Sequence, residues 1–161
     1  MPFWKKKAAA FADTGIRHTQ QDVRASMLAI TGVLPTTLDA TFTPVSHDWL
    51  LDSATQRKMR THFWALPRYT SQAWDCENFA TELVQWICRE AALAGVPACP
   101  EAYVICVRNE HPFAGVRDGR HALNLIQTDR EPIVIEPQSI QKATIWAPLS
   151  DYRNPVFKAY T

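Results

Sequence analysis

Asp75-Cys76-Glu77-Asn78-Phe79-Ala80 sets a cysteine behind a capping aspartate, at the head of an amphipathic segment. A helix start is where a thiol is most easily made a thiolate. Far downstream, His121-Ala122-Leu123-Asn124 opens a strand-like run, and Glu136-Pro137-Gln138 closes the next one. Thiol, imidazole, and a carboxylate or amide that orients the imidazole are the parts of nucleophilic thiol chemistry. The imidazole takes the thiol proton, the sulfur attacks a carbonyl carbon, and water or an amine releases the acyl group. The candidates are Cys76 as nucleophile, His121 as base, and Glu136 or Gln138 as the orienting group. Gln72, four residues before Cys76, is the candidate side-chain donor to an oxyanion. Each part also has a bland reading: a small hydrophobe at a helix start, or a hydrogen-bonded structural histidine.

The elements that must position these residues read as a helical first part followed by strands. Val23, Met27 and Ile30 recur at helical spacing and end at Gly32. Ser46 is an N-cap signal for a helix that continues through Met59 to Trp64. The central helix spans Cys76 to Ala94, with Cys76, Ala80, Leu83 and Ile87 in one stripe and Gly95 as its stop. Glu77 opposes thiolate formation, so activation needs an imidazolium partner. Tyr103 to Arg108, His121 to Gln127 and Pro132 to Glu136 read as strands, and Asn109 to Arg120 as a loop. A symmetric turn at Asp129-Arg130 pairs Gln127 with Pro132 and Leu123 with Glu136, which puts Glu136 and Gln138 on the face of His121.

Composition bounds the answer. The chain has 161 residues, 47% hydrophobic and 20% charged, enough for one sizeable core. It reads as a single domain over 1–161, with a flexible start at 1–12, a mainly helical part at 13–70, and the cysteine-bearing helix plus sheet at 71–161. A net charge of +1 gives no global pull toward nucleic acid or membrane. The apolar runs are short and interrupted, and the sequence suggests no export signal, so a cytoplasmic location is expected. Cys76, Cys88, Cys99 and Cys106 show no CxxC pair, so they are expected reduced, with Cys88 and Cys106 in the core and Cys99 in a loop. Phe42, Trp49, Phe63, Trp64 and Trp74 are expected in the core or a cleft wall.

Tyr69, the Asp75 to Ala80 stretch, His121 to Asn124 and Ile135-Glu136-Pro137-Gln138 together resemble the papain-like cysteine protease domain at the C-terminus of certain mushroom agglutinins, with its bacterial and phage relatives. The resemblance covers about residues 42 to 140. It implies an α+β, papain-like fold in which a central helix carries the cysteine at its N-terminus and packs on a small antiparallel sheet. It further implies a cysteine peptidase, or a related thiol amidase or deamidase, acting on a protein or peptide substrate through Cys76, His121 and Glu136. No cofactor is required by the sequence, although the resemblance brings calcium with it. The alternative, from another class, is a catalytically silent binding or inhibitor module on the same scaffold.

Overall fold

The computed structural model describes residues 10–37, 39–68, 75–108, 110–114 and 119–161. A short strand β1 (His18–Thr19) leads into helix α1 (Gln20–Thr31). Thr19 and Asp22 form a reciprocal capping box at its start, and Gly32, at φ 72°, ends it in the left-handed conformation that suits glycine. Strand β2 (Thr41–Thr43) precedes two helices, α2 (His47–Leu51) and α3 (Ser53–Trp64).

The single helix expected from Ser46 to Trp64 is thus two. Asp52 adopts extended backbone and accepts from the amides of Ala54 and Thr55, ending α2 and capping α3 in one residue. Helix α4 (Cys76–Leu93) follows, then β3 (Cys99–Pro100), β4 (Ala102–Arg108), β5 (Arg120–Ile126), β6 (Ile133–Glu136), β7 (Ile145–Pro148) and β8 (Val156–Tyr160). Cys99 therefore lies on a strand rather than in a loop.

Strands β4 to β8 form one antiparallel sheet in the order β7-β6-β5-β4-β8, while β1, β2 and β3 form a second, smaller sheet. The register Asn124↔Ile135 and Ile126↔Ile133 is the one expected from the turn at Asp129-Arg130. Alternation sorts the large sheet into two buried faces. Ala102, Val104, Ala122, Ile126, Ile133 and Ile135 face Phe79, Leu83, Trp86 and Ile87 of α4. Tyr103, Ile105, Val107, Leu123, Leu125 and Val134 face Val23 and Met27 of α1. Cover on both sides explains why β4 reads as a continuous apolar run.

The expected α+β arrangement, one central helix on a small antiparallel sheet, is corrected by this architecture. Among the described residues eight strands lie in two sheets, and the larger sheet has five. Its two edge strands, β7 and β8, lie beyond the last strand read from sequence. Each carries or adjoins a proline, which an edge tolerates and which masks strand pattern. Phe42, Trp49 and Phe63 are buried as expected, but Trp64 is 74% exposed because it ends α3 beyond the core stripe. Trp74 and Tyr69 lie outside the described residues. Among the described residues, no helix is long and apolar enough to cross a membrane.

Candidate functional site

Asp75 starts α4 where the sequence anticipates. Its carboxylate accepts from the amides of Glu77 (3.1 Å) and Asn78 (3.3 Å), and the Asn78 side chain accepts from the Asp75 amide. The amides of Glu77 and Asn78 are therefore occupied by the cap. The Cys76 amide, in the first turn, is left without a partner among the described residues.

Antiparallel pairing brings the other groups to this helix end. His121 stands one residue into β5, opposite Val107. Its Nε2 lies 2.6 Å from Glu136 Oε2, both side chains buried. Burial pulls the imidazole pKa down, but hydrogen bonding to Cys76 and to Glu136, with the charges of both, outweighs it and raises the value to about 9. The imidazole thus spans the thiol and the carboxylate.

The other oxygen of Glu136 accepts the backbone amide of Gln138 at 2.9 Å. That bond turns the chain out of β6 into a 3-10 helix, Pro137–Gln141, so Gln138 leaves the strand instead of continuing on the face of His121. Of the two, Glu136 is the one whose side chain meets the His121 ring, while Gln138 gives its main-chain amide to Glu136. Gln72 lies outside the described residues.

A cavity of about 390 Å³ opens over this cluster. Asp75, Cys76 and Glu77 form its helix side, His121, Arg120 and Cys106 its sheet floor, and Phe157 and Lys158 of β8 its far wall. Cys106, expected as a plain core thiol, is at the cavity because β4 pairs it with Ala122, the neighbour of His121. Its Sγ donates to Glu77 Oε1 at 3.6 Å, and the Tyr160 hydroxyl donates to the same oxygen at 3.3 Å. Burial first, and the Glu77 carboxylate second, push the Cys106 thiol up to about 11. The sequence reading has Arg120 only as the end of a loop, where the structure starts β5 with it, and does not single out Phe157, Lys158 or Tyr160. Their one local signal is the β-rich run Val156 to Tyr160 after Pro155.

His–carboxylate pairing alone does not mark the site. His18 sits 2.5 Å from Glu101, and His62 2.6 Å from Glu82. Among the described residues no group of three or more His, Cys, Asp or Glu side chains could hold a metal ion.

Asn124 locks the helix end to the strand that carries His121. Its Nδ2 donates to the Ala80 carbonyl of α4 (2.8 Å) and to the Tyr103 carbonyl of β4 (3.2 Å), fully buried. Ala80 is one turn from Cys76 and Asn124 three residues from His121, so this amide fixes the spacing of thiol and imidazole.

No family model and no curated protein match this chain. Among the solved structures similar to it are two, each with TM-score 0.60 and 14% identity over 90% of this chain. One is described as the "PSL1a-E64 complex", the other as Polyporus squamosus lectin bound to the human-type influenza-binding epitope Neu5Aca2-6Galb1-4GlcNAc. The chain spans about half the length of these matched chains, 50% and 49%. These findings correct the expected family, the papain-like label of the fold, and the peptidase or amidase activity with its protein or peptide substrate. One description names a lectin and a carbohydrate epitope, the other a complex with E64, and neither names a protease. What the chain shares with them is a fold.

Proposed function

We propose that this chain is a ligand-binding module whose seat is the cavity at the N-terminus of α4, with Cys76 as the thiol that contacts the ligand. The observation that carries the reading is the imidazole of His121, placed between Cys76 and Glu136 on the cavity floor. A protonated imidazole beside the sulfur favours negative charge on it, and the buried carboxylate holds the ring in that role. The Cys76 amide, unpartnered among the described residues, is a donor for an oxygen of a ligand seated over the sulfur. Supporting the binding reading, both matched structures are described by the ligands they hold. A free thiol at this position suits a reducing compartment such as the cytoplasm.

The chemistry is capture. His121 takes the Cys76 proton as the sulfur adds to a carbonyl carbon of the ligand, and the C=O π pair moves onto the oxygen, which the Cys76 amide holds, so that nothing is released. Binding that precedes capture gives a labelling rate that saturates with probe concentration. An aromatic chloroacetamide probe, followed by intact-mass spectrometry, is expected to show such a plateau at Cys76. A rate strictly linear in probe, equal to that of the urea-unfolded chain, would overturn the reading.

One observation favours a second reading, sugar binding. Trp64 projects an open indole beside Arg57, Arg60 and Lys142, a surface on which a sugar ring can stack and be held by polar contacts. Because the chain covers about half of the matched lectin chains, this reading stands second. Titration calorimetry with Neu5Aca2-6Galb1-4GlcNAc, on wild type and Trp64→Ala, tests it: binding that Trp64→Ala abolishes supports sugar recognition here, and no heat with wild type removes it.

A further inference from the structure

We infer that the ligand taken over Cys76 carries a carboxylate, seated between Arg120 and Lys158. This rests on the proposed cavity at Cys76 and names the charge class it selects. Arg120 and Lys158 both border the cavity, from β5 and β8, and both are exposed. Their side chains lie over aromatic rings, the Arg120 guanidinium 5.4 Å from the centre of Phe157 and the Lys158 ammonium 4.8 Å from that of Tyr160. Neither cation makes an ion pair among the described residues. Aromatic faces hold the two charges in place without neutralising them.

The carboxylates on the helix side are already engaged. Asp75 accepts two main-chain amides, and Glu77 accepts the Cys106 thiol and the Tyr160 hydroxyl. The cavity therefore has a wall of committed anions and a wall of uncommitted cations. A ligand carboxylate that meets Arg120 and Lys158 leaves the apolar face of Phe157 for its carbon skeleton.

The test compares two alkylating reagents of nearly equal size, anionic iodoacetate and neutral iodoacetamide. With either, the Cys76 sulfur bonds to the methylene carbon, the carbon–iodine bond breaks with its electron pair leaving as iodide, and the thiol proton stays on His121. In an unfolded chain a negative sulfur repels iodoacetate, so the acetate-to-acetamide rate ratio is low. In the native protein at low ionic strength the ratio at Cys76 is expected to be roughly tenfold above the urea-unfolded value. It should fall toward that value in added salt and in the double variant Arg120→Gln, Lys158→Gln. A native ratio equal to the unfolded one, unmoved by salt, overturns the inference while fast reaction with both reagents leaves the cavity reading standing. Slow reaction with both overturns the cavity reading itself.

Discussion

His121 Nε2 and Glu136 Oε2 lie 2.6 Å apart because β5 and β6 pair in a register that sets Asn124 against Ile135. Extending the ladder by one step sets Leu123 opposite Glu136, so His121 lies two residues along, diagonal to Glu136. The pair is buried, so the carboxylate acts on the ring through a low-dielectric path, and the raised imidazole pKa of about 9 follows in part from it.

This pair gives stability a defined pH dependence. The folded pKa of His121 lies above the ordinary value of 6.5, so the native state binds its proton more tightly than the unfolded chain. The contribution, about 3 kcal/mol, is fully present below pH 6.5 and is lost as pH rises toward 9. Urea unfolding at several pH values should show this loss in wild type and a flatter profile in His121→Ala.

Glu136→Gln removes a charge and keeps the shape. The His121 pKa should drop, by NMR titration of the ring, and alkylation of Cys76 near neutral pH should slow. Gln138→Ala should change neither, because the bond from Gln138 to Glu136 comes from its main-chain amide.

Asn124→Leu breaks both bonds that tie α4 to β4 and β5. Losing two side-chain hydrogen bonds at a fully buried site should cost about 2 kcal/mol in denaturant unfolding. Cys76 reactivity should decline as well, since the spacing to His121 is no longer held.

Cys106 should stay unlabelled at neutral pH and begin to react as pH approaches its value of about 11. Glu77→Gln removes a negative charge beside the thiol, so labelling of Cys106 should begin at lower pH. Mass mapping of alkylated peptides across a pH series reads both.

The site was legible where its signals are local. Asp75 before a stripe of Cys76, Ala80, Leu83 and Ile87 marks α4, and a two-sided turn at Asp129-Arg130 sets the β5–β6 register. Glu136 and Gln138 were not separable, because the choice depends on the Glu136 side chain capping its own exit turn. Arg120, Cys106 and Lys158 meet at the cavity through pairing of β4 with β5 and β8, which no short motif records. The break at Asp52 was legible in principle, since an aspartate before Ser53-Ala54-Thr55 is itself a cap signal. Trp64 shows the limit of composition: a large aromatic at a helix end can face outward.

The central claim is that His121 makes Cys76 the reactive thiol of this chain. Limiting iodoacetamide on the native protein near neutral pH, with time-resolved mass mapping of Cys76, Cys88, Cys99 and Cys106, tests it most directly. Cys76 should be alkylated well ahead of the other three, and His121→Ala, shown folded by circular dichroism, should lose that lead. Alkylation of Cys76 no faster than the others in folded wild type, or an undiminished lead in folded His121→Ala, would contradict the account.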